Sequence, residues 1–165
     1  TWADITPTVL HFAGAYQDPE SFHGRSFKDI IDQEEPENWR EEIYAAHTFH
    51  EITNYYPMRV LRTKKYKFIW NIAWKLDYPF AKDLWQSASW QGALRRQLKD
   101  FGARSIKDYI HRPRFELYDL EADPNEINNL ADHAEYRQLV REFADKLRVF
   151  QEQTKDPWLH KWTYE

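Results

Sequence analysis

The sequence predicts an α+β fold, in which a small antiparallel sheet of about four strands is packed by a long C-terminal helix. Between residues 43 and 120, apolar and polar residues alternate in short segments, as in strands with one buried face. Between residues 136 and 150, apolar residues recur instead at three- and four-residue steps, as on one face of a helix. An apolar helix face must be covered, and the sheet is the surface available to cover it.

The N-terminal segment predicts a helix over residues 5–13. Thr6 suits the N-cap position, and Pro7 suits the first helical position, where its missing N–H costs nothing. Gly14 is placed to end this helix. Residues 15–40 show little apolar periodicity and are predicted to be a surface loop with a short helix near residues 27–31.

The predicted strands cover residues 43–47, 58–62, 66–70 and 115–120. Thr63-Lys64-Lys65 separates the second strand from the third, which predicts a hairpin. In the insertion at residues 72–113, Ser87 is predicted to cap a helix that turns Trp90, Leu94 and Leu98 inward, and Ser105 to start another turn.

The C-terminal helix is predicted to begin with a capping box made by Asp132 and Glu135. Its apolar stripe consists of Tyr136, Leu139, Val140, Phe143, Leu147 and Phe150. The tail after Pro157 holds Trp158 and Trp162, and its aromatic character predicts that it packs on the domain.

Composition excludes several classes of function. The 165 residues carry a net charge of -4, which gives no electrostatic reason to expect nucleic acid or an anionic membrane as partner. The chain has no cysteine, which excludes disulfides, Cys-ligated metals and a Cys nucleophile within it. No apolar run approaches the ~20 residues that span a bilayer. Because the chain begins with Thr1, it is expected to be a fragment of a longer protein.

The densest group of polar residues is His47-Thr48-Phe49-His50-Glu51, at the end of the first predicted strand. Loops at strand ends are where sites are commonly built, and a carboxylate beside an imidazole suits acid–base work or binding of an amine and a hydroxyl. In a strand, His47 and His50 point to opposite faces, so one ligand can contact both only if the chain turns between them.

Two other interpretations of this segment stay open. The same side chains could satisfy only local hydrogen bonds, or two His and one Glu could bind zinc, although the helical H-E-x-x-H order is absent. Arg95, Arg96 and Lys99 in the insertion are interpreted as a solvated helix face, with contact to an anionic polymer as the alternative.

Four motifs in matching order resemble the sulfatase family. Residues 4–14 resemble its "D-x-x-P-T-x-L…A-G" helix, and Gly24-Arg25-Ser26 resembles the "G-R-S" that follows. Residues 58–69 resemble its "R-x-V-R-T-x-x-Y-K-L-I" hairpin, and residues 116–130 its "E-L-Y-D-L-x-x-D-P-x-E-x-x-N-L". The stretch from His50-Glu51 to Met58-Arg59, and the ending Thr154-Lys155-Asp156-Pro157-Trp158, are similar to the heparan N-sulfatase (sulfamidase) subgroup.

The resemblance implies hydrolysis of sulfate or sulfamate groups on amino sugars of glycosaminoglycan type. Residues 1–40 would end a large alkaline-phosphatase-like α/β domain, with the helix at 5–13 as its last helix, and residues 41–165 would form the C-terminal subdomain. The family also implies a calcium ion and a formylglycine, made from Cys or Ser in a C/S-x-P-x-R motif that would lie upstream of Thr1. The chain alone is therefore expected to be inactive, with no catalytic residue and no metal ligand of its own.

The resemblance further implies that His50 and Glu51 hold the sugar, with His47 and Arg59 as weaker candidates. Arg59 has the alternative of pairing with a carboxylate inside the domain. The implied partners are a sulfated sugar substrate and the missing N-terminal sulfatase domain. Neither nucleic acid nor a membrane is expected as a partner, and a homodimer stays open. The compartment is unknown from the sequence, while the family suggests a periplasmic, secreted or lysosomal location.

Two further functions stay open. One is an O-sulfatase or phosphoester hydrolase of the same superfamily, which would differ in its upstream nucleophile. The other is a non-catalytic carbohydrate-binding domain that uses its Tyr and Trp rings as a stacking platform. Against the second, the helix at residues 5–13 has an apolar face with no evident partner in the chain, as at a missing interface.

Overall fold

The structure, a computed structural model, describes residues 1–51 and 54–164. The chain divides into two compact units, of which the first spans Thr1–Ile43 and the second begins at Tyr44. Across the two described ranges, no helix combines the length and the apolarity needed to cross a bilayer.

The first unit is built around α1 (Ile5–Phe12), which follows a 3-10 turn at Trp2–Asp4. The predicted N-cap is wrong, because Thr6 lies inside the helix and Asp4 occupies the cap position. The predicted position of Pro7 is also wrong, because it is the third residue of α1 and not the first. Its missing N–H still costs no hydrogen bond, since the first amides of a helix have no intrahelical partner.

The predicted end of α1 is confirmed at Gly14, whose φ is 70°. The amide of Ala15 donates to the carbonyl of Leu10 at 2.8 Å, and that of Gly14 donates to His11 at 3.2 Å. This Schellman pattern requires a left-handed residue after the helix, a conformation that glycine adopts without steric cost.

The loop that follows α1 contains two 3-10 turns, at Pro19–Ser21 and Lys28–Ile30, the second of them at the predicted short helix. It is held to the start of α1 by Asp4, which is only 1% exposed. One Asp4 carboxylate oxygen accepts from the Arg25 amide at 2.8 Å and from the Arg40 guanidinium at 2.9 Å.

Gly24 allows the loop to approach α1 closely, because a Cβ there would lie 2.0 Å from the carbonyl oxygen of Ala3. We expect Gly24→Ala to lower the free energy of unfolding by about 1–3 kcal/mol, since backbone must shift to admit the methyl group. Urea unfolding would measure the change. The control is Gly92→Ala inside a helix. There an added Cβ would have no atom within 4 Å other than its chain neighbours and the backbone of its own helix, and a gain of about 0.5–1 kcal/mol is expected. Equal losses in both variants would contradict this account.

The strands are β1 (Ile43–His50), β2 (Asn54–Arg62), β3 (Tyr66–Asn71), β4 (Asp100–Phe101), β5 (Arg104–Ser105) and β6 (Phe115–Asp119). The predicted four-stranded sheet is confirmed, with the order β1-β2-β3-β6. The pairs β2–β3 and β3–β6 are antiparallel, with Leu61 opposite Phe68 and Phe68 opposite Leu117. The short strands β4 and β5 form a separate hairpin.

The insertion carries α2 (Lys82–Gln86), α3 (Ala88–Arg95) and α4 (Ile106–Ile110). The predicted caps are confirmed, because the hydroxyls of Ser87 and Ser105 accept from amides of their helices, each at 3.3 Å. The inward position predicted for Leu98 is wrong: α3 ends before it, and Leu98 is 47% exposed. The β4–β5 hairpin and α2 were not predicted, because segments this short carry no measurable periodicity.

The long helix α5 (Arg137–Gln153) packs Phe143 and Leu147 onto the buried face of the sheet, as predicted. Its predicted capping box is wrong, because a 3-10 turn at Ala134–Tyr136 contains Glu135 and leads into the helix. The tail ends in α6 (Lys161–Tyr164). There Trp162 stacks on Trp70 with ring centroids 3.7 Å apart, so the aromatic tail is part of the core as predicted.

Candidate functional site

A cleft of about 410 Å³ lies where β1 ends and β2 begins, and the insertion forms its opposite wall. The sheet side contributes His47, His50, Glu51 and Asn54. The insertion contributes Tyr78, Pro79, Phe80, Ala81, Asp83, Leu84 and Tyr109. Three of the four sequence-predicted site residues therefore line one cavity.

His47 is half-buried, and its Nδ1 lies 3.0 Å from the backbone carbonyl oxygen of Tyr56. A carbonyl oxygen can only accept, so Nδ1 carries the proton. In the neutral ring, Nε2 then keeps its lone pair and can accept from a hydroxyl or an amine of a ligand.

His50 and Glu51 are exposed, and neither side chain forms a hydrogen bond or ion pair within the described ranges. Glu51 has a φ of 59°, in the left-handed region that costs a non-glycine residue about 1–3 kcal/mol. The chain turns at Glu51, after His50, whereas His47 and His50 both lie within β1. The expectation that only a turn between the two histidines would let them contact one cleft is therefore wrong, because both line the cleft from the end of the same strand. The Glu51 carboxylate remains available to a ligand.

Arg59 lies outside the cleft and forms a bidentate pair with Asp156, with Nε–Oδ2 at 2.5 Å and Nη2–Oδ1 at 2.9 Å. The two side chains are 6% and 11% exposed. Nη1 of Arg59 also donates to the carbonyl of His47 at 3.2 Å. Arg59 therefore links β2 to the C-terminal tail and to β1. Its guanidinium donates to Asp156 and to the His47 carbonyl within the domain, and it does not face the cleft.

The Asp156 carboxylate is held in its charged form. Burial acts to raise its pKa, but the hydrogen bonds from Arg59, the Trp158 amide and Gln151 outweigh burial and hold the pKa below its ordinary value. The ion pair is consequently complete at neutral pH.

Tyr78, in the wall of the cleft formed by the insertion, is contacted by Tyr56 and Arg112. Tyr56 is fully buried and meets Tyr78 edge to face at 5.0 Å, and Arg112 lies 3.8 Å from the centre of the Tyr78 ring. Burial raises the pKa of Tyr56 to about 12, so the phenol stays neutral at physiological pH. Sequence reasoning missed Tyr78 and Tyr109 as site residues, and the only signal was the aromatic richness of the insertion.

The part of the chain that the structure describes contains no cluster of side chains that could hold a metal ion. Across residues 1–51 and 54–164, no group of three or more His, Asp or Glu side chains is close enough to hold an ion. Neither zinc nor the calcium implied by the family resemblance is therefore assigned to these residues.

The family described as "N-sulphoglucosamine sulphohydrolase, C-terminal" matches residues 2–83. The chain is 30% identical over 164 residues to N-sulphoglucosamine sulphohydrolase of Homo sapiens, covering 94% of this chain and 33% of that protein. It is 29% identical over 155 residues to N-acetylglucosamine-6-O-sulfatase of Bacteroides thetaiotaomicron, covering 93% of this chain and 21% of that protein.

A solved structure of a protein in complex with its substrate D-glucosamine-2-N,6-O-disulfate superposes with a TM-score of 0.59. The two are 25% identical, and the match covers 93% of this chain and 24% of that one. The chain thus spans about a third or less of the length of these relatives. The segment matched by the family contains His47, His50, Glu51 and Arg59.

Proposed function

Because this chain belongs to the sulfatase family and corresponds to the C-terminal region of its proteins, we propose that it forms the sugar-binding wall of a sulfatase active site. The proposed substrate is an N-sulfated amino sugar of glycosaminoglycan type. The observation that carries the proposal is that His47, His50 and Glu51 line one cleft. Among the described residues, the His50 ring, the Glu51 carboxylate and Nε2 of His47 have no hydrogen-bond partner.

Each group in the cleft suits part of an amino sugar. The Glu51 carboxylate can accept hydrogen bonds from ring hydroxyls, and charge-assisted bonds of this kind contribute about 1.5–3 kcal/mol. Nε2 of His47 can accept from a further hydroxyl. The rings of Tyr78 and Tyr109 offer apolar surface for the faces of a sugar ring.

The nucleophile is proposed to lie outside this chain. We assign residues 1–40 to the end of the large sulfatase domain and residues 41–165 to the C-terminal subdomain. The formylglycine and the calcium ion would belong to the upstream part of that large domain. The 165-residue chain by itself is then expected to bind sugar without releasing sulfate.

The names of the relatives differ in the position of the sulfate group, which leaves one alternative substrate within the family. One relative is named for N-sulfoglucosamine and another for the 6-O-sulfate of N-acetylglucosamine. The family match names the first of these, and this favours the N-sulfate. An O-sulfatase is the second candidate.

Sulfate release from two sugars tests the proposal. The full-length protein encoded by the same gene should release sulfate from glucosamine N-sulfate, and the 165-residue chain should release none. Release only from glucosamine 6-sulfate would establish the O-sulfatase instead. No release from either sugar, together with sugar binding by the chain, would indicate a carbohydrate-binding domain.

A further inference from the structure

The insertion at residues 72–113 differs from the rest of the chain in charge. It contains eight Lys and Arg residues against four Asp, a net charge of +4, while the whole chain carries -4. Five of these cations are exposed and form no hydrogen bond or ion pair through their side chains within the described ranges: Lys82, Arg95, Arg96, Lys99 and Lys107. The insertion therefore presents uncompensated positive charge.

Most residues around a second cavity, of about 580 Å³, belong to the same insertion, and four of them are aromatic: Phe80, Trp90, Phe101 and Tyr109. The ring centroid of Trp90 lies 4.8 Å from that of Phe80 and 5.5 Å from that of Phe101. The volume falls in the range of ordinary small-molecule sites, which are mostly apolar with a few polar groups. Here the polar groups include Ser87, Ser105, Arg104 and Asn125.

This second cavity adjoins the cleft that holds His47, His50 and Glu51. Phe80, Leu84 and Tyr109 line both spaces, so one row of side chains separates them. Leu84 is 57% exposed and Phe101 is 46% exposed, which leaves apolar surface open around the second cavity. Clustered exposed apolar side chains of this kind mark binding surfaces.

We infer that the insertion binds the sugars next to the one held in the cleft, so that the site takes an anionic oligosaccharide and not only its terminal sugar. The aromatic cavity receives a neighbouring sugar ring by stacking, and the unpaired cations attract sulfate and carboxylate groups of the chain. The inference rests on the proposed function and adds a length preference to it. Cations that neutralise an anionic polymer also make its binding salt-dependent.

The test compares two ligands by titration calorimetry with the 165-residue chain: glucosamine N-sulfate, and a tetrasaccharide that alternates uronic acid with N-sulfated glucosamine. We expect the tetrasaccharide to bind about tenfold more tightly or better, a difference of about 1.4 kcal/mol. Phe101→Ala should remove that gain and leave monosaccharide affinity within about twofold. Ala103→Trp should also remove the gain, because the larger side chain fills the cavity. Since this variant removes no existing contact, it keeps the test valid in the event that Phe101→Ala does not fold.

Charge is tested separately by Arg96→Gln, which should lower tetrasaccharide affinity several-fold at low salt and have little effect at high salt. Its matched control is Arg141→Gln, an exposed cation on α5 outside the insertion, which should change neither affinity.

The two proposals fail in different ways. Absence of tetrasaccharide binding, equal affinity for both ligands, or a length gain that survives Phe101→Ala and Ala103→Trp would overturn the oligosaccharide inference. Glu51→Gln should weaken monosaccharide binding and preserve the ratio of the two affinities. If Glu51→Gln left monosaccharide binding unchanged, the proposed sugar site in the cleft would be contradicted. The preference for the longer ligand would be unaffected by that result.

Discussion

Replacing Asp156 by alanine is expected to lower the free energy of unfolding by about 3–5 kcal/mol, among the largest effects of any single substitution in this chain. The reason is that the Arg59 side chain is 6% exposed and would keep its charge in the interior without a carboxylate. Two hydrogen bonds to that carboxylate, at 2.5 and 2.9 Å, would be lost together. Urea unfolding followed by tryptophan fluorescence would measure the loss.

The matched control is an exposed ion pair on α5, where Lys146 lies 3.4 Å from Glu142. Glu142→Ala should cost less than about 1 kcal/mol, because both charges stay hydrated when the pair is broken. If Asp156→Ala and Glu142→Ala had equal effects, the Arg59–Asp156 pair would not hold the tail to β2.

The same ion pair gives the stability a dependence on pH. The folded pKa of Asp156 lies below its unfolded value of about 3.9, so its contribution is fully present above pH ~4 and is lost as pH falls through the folded pKa. The stability difference between wild type and Asp156→Asn should therefore be constant from pH 7 to about 5 and shrink at lower pH. Unfolding curves at several pH values would measure it, and a difference that grows on acidification would refute the assignment.

For the sulfatase activity proposed for the full-length protein, Glu51→Ala should lower kcat/KM by about 10–100-fold. A charge-assisted hydrogen bond contributes about 1.5–3 kcal/mol, and each 1.4 kcal/mol is a factor of ten. Stability should change little, because the Glu51 side chain is exposed and unpaired in the described part of the structure. Steady-state kinetics on glucosamine N-sulfate, with thermal unfolding measured in parallel, would check both expectations.

Glu51→Gly separates the carboxylate from the backbone. Glycine adopts a φ of 59° without steric cost, so this variant should be as stable as wild type or slightly more stable, yet lose activity as Glu51→Ala does. Wild-type kinetics in both variants would remove Glu51 from the site. Full activity in Glu51→Gly alone would mean that only the left-handed turn matters.

Several elements could be predicted from the sequence because their causes are local. The β2–β3 hairpin follows from alternation on both sides of Thr63-Lys64-Lys65, and the caps at Ser87 and Ser105 involve amides only three residues away. The stripe of α5 depends on spacing within one helix. Each of these signals is complete within a few residues, which is why pattern and propensity suffice.

The tertiary structure decided which candidate residues share a site. His47, His50 and Glu51 are adjacent in sequence, but the opposite wall of their cleft comes from Tyr78 and Tyr109 in the insertion.

Arg59 belongs to the same polar stretch of sequence, yet it pairs with Asp156, 97 residues away. No local preference encodes such a pairing, since it depends on the sheet register and on the course of the tail over the core. The sequence by itself therefore determined the elements and the candidate polar segment, and the packing of distant segments decided which of those side chains stay free for a ligand.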